Sequence, residues 1–296
     1  MKLRSVFYIV LAGILWGTSG LFVHYLAPYG FTSLQMTAVR GTVSFLCIAV
    51  YVLLRNRASL RVTPRRLILC VLAGASVFGT AACYFSAMQL TSIATAVVLM
   101  YMAPVLVTVF SVLFLKERFT RMKGISVALM VVGCALVSGV IGGLKFHLGG
   151  ILLGILSAIV YAAYSIFTKL ALEAECAPMT SSFYSYLSMA VLALAVSAPQ
   201  EIVSHVAADP IRVLPVMIAL GIVTFILPYF LYTLALKELP AGTASALSIV
   251  EPMAATIFSV AVFHEKLGVA AAIGIVLILG AVILLSREEG GRSGDA

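Results

Sequence analysis

The sequence predicts an all-α integral membrane protein: ten transmembrane helices in two inverted five-helix repeats, with both termini in the cytoplasm. Three observations predict it: the composition, the placement of Lys and Arg, and an internal repeat. The 296 residues are 62% hydrophobic and only 10% charged. A soluble domain carries roughly 25% charged residues, so this chain has too few to cover its own surface in water. A lipid-facing surface removes that demand, because apolar side chains on it cost nothing.

Apolar runs broken by Pro, Gly and charge mark the helices, each needing about 20 residues to cross a bilayer. The first five lie at 6–27, 31–54, 67–90, 94–115 and 123–141. The second five lie at 148–172, 179–198, 211–236, 241–263 and 267–286. The first run is long enough to span and no Ala-x-Ala site closes it, so it reads as a retained helix rather than a signal peptide.

The formal net charge is +8. Nucleic-acid binding would need a basic face on a soluble domain, whereas here the basic residues fall in short gaps between apolar runs. With the N-terminus inside, fifteen of the nineteen Lys and Arg lie on the cytoplasmic side, among them Arg61, Arg65, Arg66, Lys116, Lys123, Lys169 and Lys237. Only Lys145, Arg212 and Lys266 lie outside, and Arg40 falls within a helix. Excess positive charge marks the cytoplasmic side, which places both ends of the chain inside.

The repeat has an offset of 148 residues. Tyr84-x-x-Ala87, Thr95-Ala96 and Ala103-Pro104 recur as Tyr232-x-x-Ala235, Thr243-Ala244 and Glu251-Pro252. Phe110-Ser111-Val112 recurs as Phe258-Ser259-Val260, and Glu117 as Glu265. Helix one aligns less clearly with helix six, with Trp16 opposite Tyr161. Five helices per half is an odd number, so the second half enters from the opposite side. The expected units are 1–141, 148–286 and a short cytoplasmic tail, 287–296. Inverted repeats of this kind are common in secondary transporters, where two similar halves exchange conformations about a shared site.

Ten helices in two five-helix halves resemble the drug/metabolite transporter (DMT) superfamily, in particular its EamA-type permeases. The residues that carry the resemblance are Trp16-Gly17-Thr18-Ser19, Met102-Ala103-Pro104 running to Leu115-Lys116-Glu117, and Val250-Glu251-Pro252 running to His264-Glu265-Lys266. It covers essentially 1–286. The second copy departs from the usual Leu-Gly-Glu ending, since Phe263-His264 precedes Glu265. The resemblance implies a central cavity and transport of small organic molecules, often efflux of amino acids or other metabolites. It carries over no ligand residues, so the site is argued from this chain.

Glu251 is the sharpest candidate, for substrate binding and for proton coupling. A carboxylate at mid-bilayer costs several kcal/mol unless paired, hydrated or protonated, and its repeat partner is Ala103, so the scaffold does not need the charge. Pro252 follows it, and Pro104 is its repeat partner; both are expected to bend their helices near the cavity. Arg40, about ten residues into helix two, suits a substrate carboxylate, or else a structural tie to carbonyls or to Glu251. Trp16, Tyr84, Tyr101, Tyr161 and Tyr232, with Tyr164 and Tyr229, lie within helices and line the cavity or pack between helices. His24, near the outer end of helix one, is a wetted interfacial residue or a second proton carrier. Lys169 is expected to snorkel. Gly13-x-x-x-Gly17 and Gly150-x-x-x-Gly154 allow helices one and six a close approach to their neighbours.

Cys47, Cys70, Cys83, Cys134 and Cys176 show no CxxC pair and no metal-ligand spacing, so no cofactor, metal or disulfide is expected. Gly17-Thr18-Ser19-Gly20 matches the GxSG string of rhomboid proteases. An intramembrane hydrolase would also need a His against Ser19, and His24, His147, His205 and His264 all fall near loops or helix ends or in helix one itself. A transporter is therefore expected rather than an enzyme. Its partners are the lipid bilayer, a small-molecule substrate and, in the coupled case, a proton; no nucleic acid is expected. The substrate is expected to be an amino acid or related metabolite, with cationic drugs as the alternative, and the location a bacterial inner membrane.

Overall fold

The computed structural model describes residues 2–55, 57–91, 93–137, 147–264 and 268–291. The end of the first expected repeat, Lys145, Glu265, Lys266 and the tail beyond 291 lie outside them. Every regular element among the described residues is a helix. In chain order they are α1 (Lys2–Gly17), α2 (Ser19–Leu26), α3 (Ser33–Arg55), α4 (Pro64–Leu90), α5 (Ile93–Met100), α6 (Ala103–Leu115) and α7 (Arg121–Val137). The second half holds α8 (Leu148–Glu173), α9 (Pro178–Val196), α10 (Pro199–Ala208), α11 (Pro210–Gly221), α12 (Leu227–Leu236), α13 (Ala241–Leu247), α14 (Val250–Phe263) and α15 (Val269–Gly291).

Eight helical stretches are long and apolar enough to cross a membrane: Leu3–Tyr29, Ser33–Arg55, Pro64–Leu90, Thr95–Leu115, Leu148–Glu173, Pro178–Val196, Pro210–Leu236 and Ala241–Phe263. Val269–Leu285 is a shorter apolar helix, and α7 has 17 residues. Large apolar side chains such as Leu113, Phe114, Leu152 and Val276 are exposed, an outward apolar surface that suits lipid. No apolar run announces the helix α10; its ten residues sit between the sixth and seventh of these eight stretches.

Proline punctuates these helices. Pro64, Pro104, Pro178, Pro199 and Pro210 all occupy first turns, where the missing N–H costs nothing. Two of the apolar runs are consequently interrupted. The fourth breaks at Tyr101–Met102, between α5 and α6, and the ninth at Ser248–Ile249, between α13 and α14. Pro104 and Pro252 lie just beyond the two breaks, because a proline ring cannot sit inside a continuous helix without displacing the carbonyl four residues earlier. The two segments also end alike: Lys116 and His264 both take left-handed backbone, each with φ 54°. The ends thus fall in the same register in both halves, and the breaks lie within one residue of it.

The two halves are interleaved rather than side by side. α4 packs along α8 and α9, α3 against α9, α1 against α12 and α14, α6 against α8 and α13, and α7 against α15. Exchanging the halves maps α4 on α8 to α12 on α1, and α6 on α8 to α14 on α1. The core therefore forms between the halves, from Ile9, Val107, Met130, Phe225, Leu236 and Ile249 among others. Glycine permits the closest approach. A Cβ on Gly17 would lie 2.8 Å from Ala254 Cβ and 2.8 Å from the Ala255 nitrogen, so α1 reaches α14 only without a side chain there. Gly150 and Gly154 do the same for α8, against Leu90 and Leu99. Each motif thus faces the opposite half.

Candidate functional site

The two helix breaks meet. Met100, Tyr101, Ala103 and Pro104 from the first and Ser248 and Glu251 from the second line one cavity, with Tyr161 of α8. Its volume is about 20 Å³, room for about one water molecule. Glu251 lies in the first turn of α14, where the helix dipole favours a negative charge, and the Tyr101 hydroxyl is directed at its carboxylate. The Tyr161 hydroxyl meets Ser248 Oγ at 3.4 Å. Of the residues predicted from sequence, Glu251, Tyr101, Tyr161 and Pro104 are brought together here.

Beside this cavity lies an aromatic cluster. The Trp16 ring is 5.1 Å from Tyr229 and 5.8 Å from Tyr232, and Tyr164 lies 5.5 and 5.8 Å from the same two. Tyr161 joins through Tyr164 at 6.1 Å. Tyr232 is fully buried and its hydroxyl hydrogen-bonds with Ser165 at 2.9 Å, so it packs rather than lines. Its repeat partner Tyr84 is half-buried, stacks beside Phe85 at 5.5 Å and lies in electrostatic range of Glu251.

Arg40 of α3 forms no ion pair with Glu251; its Nη2 is 3.5 Å from Thr37 Oγ1 and its Nε is buried without a hydrogen-bond partner. The Trp16 Nε1 is buried and unpartnered as well. The Tyr164 hydroxyl, within the cluster, is a third such group, although buried polar groups are nearly always satisfied. Tyr229 stands in electrostatic range of both Arg40 and Glu251.

The end carrying most of the Lys and Arg is tied shut. Glu117 Oε1 accepts from the Ala241 N–H at 2.6 Å, and its Oε2 is 3.5 Å from Lys123 Nζ, whose side chain is 2% exposed. Ser5 Oγ donates to Glu238 at 2.5 Å. Lys169 does not snorkel: its Nζ donates to the carbonyls of Leu236 at 2.7 Å and Leu239 at 3.0 Å, filling acceptors left free at the end of α12. The opposite end carries two open grooves. A 730 Å³ cavity there is lined by Gly20, His24, Ser259 and Phe263, and one of 420 Å³ continues inward along Leu21 and Thr256 to Gly17 and Ala255. Ala255 is one turn beyond Glu251. His24 is exposed at the mouth, its ring 4.4 Å from Phe263.

Sequence reasoning missed the burial of Lys123, the role of Ser248 and a π-helical turn at Ile222–Ile226. Only Pro228, two residues after that turn, signalled the last. Ser19 makes no hydrogen bond to a histidine; the neighbouring Thr18 hydroxyl donates to the Leu15 carbonyl where α1 ends. Among the described residues no group of three or more His, Cys, Asp or Glu is placed to hold a metal.

The profile of the EamA-like transporter family matches the chain twice, over residues 3–139 and 148–287. The chain belongs to the EamA-like transporter family. EamA proteins form part of the drug/metabolite transporter superfamily, so this one is a multi-pass membrane transporter. It is similar to an uncharacterized transporter of Archaeoglobus fulgidus, 31% identical over 283 residues and 95% of each chain. It is also similar to the uncharacterized transporter YwfM of Bacillus subtilis, 25% identical over 94% of this chain and 92% of that one. A solved structure titled "Crystal structure of protein" shares the fold with a TM-score of 0.78, covering 96% of this EamA chain and 98% of its own at 22% identity.

Proposed function

We propose that this EamA protein moves small zwitterionic metabolites, amino acids or close relatives, out of the cell by alternating access. The single observation that carries the proposal is the meeting of two interrupted helices, broken within one residue of the same repeat position, around Glu251. Interrupted helices at mid-membrane are how secondary transporters expose polar groups to a solute. The architecture we propose is ten spanning helices in two inverted repeats, 1–141 and 148–286, with the N-terminus and the 287–296 tail in the cytoplasm of a bacterial inner membrane. The matching registers, the paired contacts between halves and the twofold family match support it.

In this reading Glu251 receives the substrate amine, or carries a proton in exchange for it. Arg40 and the Trp16 N–H receive the carboxylate, which supplies the acceptor that both lack. Tyr101 and Tyr161 form the walls, and Pro104 and Pro252 the hinges. A volume of about one water cannot hold an amino acid, so the described conformation is closed over the site, with two open grooves on the side facing away from the basic end. A second reading, efflux of cationic compounds, is favoured by the carboxylate set among tyrosine rings.

Uptake into proteoliposomes separates the two. A panel of amino acids and cationic drugs is tested with and without a pH gradient, for the wild type and for Glu251→Gln. Transport of zwitterions lost in both Glu251→Gln and Arg40→Met supports the first reading. Transport of cations lost only in Glu251→Gln supports the second. Normal transport by Glu251→Gln under every gradient removes Glu251 from the site.

A further inference from the structure

Away from the transport site, Cys70 and Cys176 lie side by side. Their sulfurs are 3.8 Å apart, although 106 residues separate them in the chain. Cys70 is in the first turns of α4, in the first half; Cys176 is in the short turn between α8 and α9, in the second. The surroundings hold them there: Ser185 Oγ of α9 donates to the Cys70 carbonyl at 3.0 Å, and the Cys176 N–H donates to the Ala171 carbonyl at 3.0 Å. Two thiols without a third ligand do not make a zinc site, and no further Cys, His or carboxylate completes a metal site among the described residues.

The two thiols are not equivalent. Cys70 is wholly buried, while Cys176 is 5% exposed. The contact with the Cys70 sulfur and the nearby Arg66 guanidinium draw the Cys176 thiol below its ordinary value, against its partial burial. Both thiols are buried, Cys176 the less deeply, and a thiol inclined to ionise backed by a second sulfur is the arrangement of an attacking and a resolving cysteine.

We propose that Cys70 and Cys176 are a redox-active dithiol that closes to a disulfide between the two halves. The oxidant is a small-molecule disulfide of the glutathione class. The Cys176 thiolate attacks one sulfur of that disulfide, its S–S bond breaks, and the first small thiol leaves with a proton. The Cys70 sulfur then attacks Cys176 and loses its own proton to the second departing thiol. Two protein thiols are oxidised and one small disulfide is reduced to two thiols. The sulfurs must close from 3.8 Å to about 2.05 Å, a movement within reach of side-chain rotation. The pair lies at the Arg-rich end, beside Arg66 and its 3.5 Å ion pair with Glu175. Positive charge marks that end as cytoplasmic, where disulfides are transient and regulatory rather than structural.

The test uses the full chain in proteoliposomes, with Cys47, Cys83 and Cys134 replaced by Ala so that only the pair remains. It is equilibrated with oxidised glutathione, trapped with N-ethylmaleimide and mapped by mass spectrometry under non-reducing conditions. The expected result is loss of both free thiols, a Cys70–Cys176 linked peptide within a monomer, and return of both thiols in reduced glutathione. In a further Cys70→Ser variant, Cys176 should stop at the glutathione adduct. The proposal is overturned if both cysteines are recovered alkylated, if only adducts form, or if the link joins two copies. The same linkage in the wild-type chain, mapped in parallel, guards against a folding effect of the replacements. The outcome is independent of which solute is transported.

Discussion

Replacing Glu117 should destabilise the protein, and a second substitution should rescue it. Glu117 joins the loop after α6 to the start of α13 through its 2.6 Å bond from the Ala241 N–H, and it neutralises Lys123 at 3.5 Å. With an effective dielectric of about 20, two unit charges at that distance attract by roughly 5 kcal/mol. Most of that is offset by the desolvation of both, so the pair itself contributes little net stability. Glu117→Ala is different. It leaves an ammonium with a 2% exposed side chain and no counter-charge, which costs about 3–5 kcal/mol. Glu117→Gln also removes the counter-charge but leaves an amide oxygen to accept from Ala241 or Lys123, so a smaller loss of about 1–3 kcal/mol is expected. Glu117→Ala with Lys123→Met removes the orphan charge and should recover most of the loss. The measurement is SDS-driven unfolding in mixed micelles for the four proteins. A double variant no more stable than Glu117→Ala would refute the reasoning, because it would show that the buried charge is not the source of the cost.

Gly17→Val should be destabilising by about 1–3 kcal/mol, because its Cβ would meet the α14 backbone at 2.8 Å; unfolding in the same micelles checks it. Arg40→Met should leave stability within about 1 kcal/mol of wild type, since the guanidinium makes only a 3.5 Å contact, yet abolish uptake of carboxylate-bearing solutes. Tyr232→Phe should cost about 0.5–1.5 kcal/mol through its bond to Ser165 and leave substrate preference unchanged in uptake assays. Ser204→Cys should label from outside intact cells and Arg61→Cys only after permeabilisation, both in a cysteine-free background; the reverse pattern would invert the proposed orientation.

Much of this was legible in the sequence because membrane constraints are written in composition and register. Apolar runs located every long helix, since a span must be about 20 residues of apolar side chain. The 148-residue offset found both broken helices, because Pro104 and Pro252 are visible as repeat partners. A proline of this kind leads one to expect a bent helix that continues, and the backbone does stay helical through each two-residue turn. What was not legible is that Tyr101 and Ser248 stand in those turns. Burial of charge was hidden for another reason. Lys123 and Lys169 sit at helix ends, where a long side chain usually reaches water, and only the tertiary fold shows that Glu117 and the carbonyls of Leu236 and Leu239 stand there instead. The unpaired state of Arg40 was equally invisible, because its relation to Glu251 depends on how α3 and α14 are placed about Tyr229.

The repeat also misleads in one instructive respect. Tyr84 and Tyr232 are sequence partners, which suggests two walls of one cavity. Their helices differ. α4 runs unbroken for 27 residues, while its counterpart carries the π-helical turn at Ile222–Ile226 before α12. That turn arises from Pro228, which cannot donate a hydrogen bond and crowds the carbonyl four residues earlier; widening the turn relieves both. A π-turn absorbs one extra residue and so rotates the remainder of the helix by roughly 100° relative to a straight one. Phe225, Tyr229 and Tyr232 are thereby gathered against Trp16 and Tyr164, and Tyr232 is sealed by Ser165. Tyr84, on an unrotated helix, stays half-buried on the side of Glu251. One proline in the second half thus separates two matched tyrosines, Tyr232 packed in a cluster and Tyr84 half-buried within electrostatic range of Glu251, and the Ala103-to-Glu251 difference adds a charge to the second half alone.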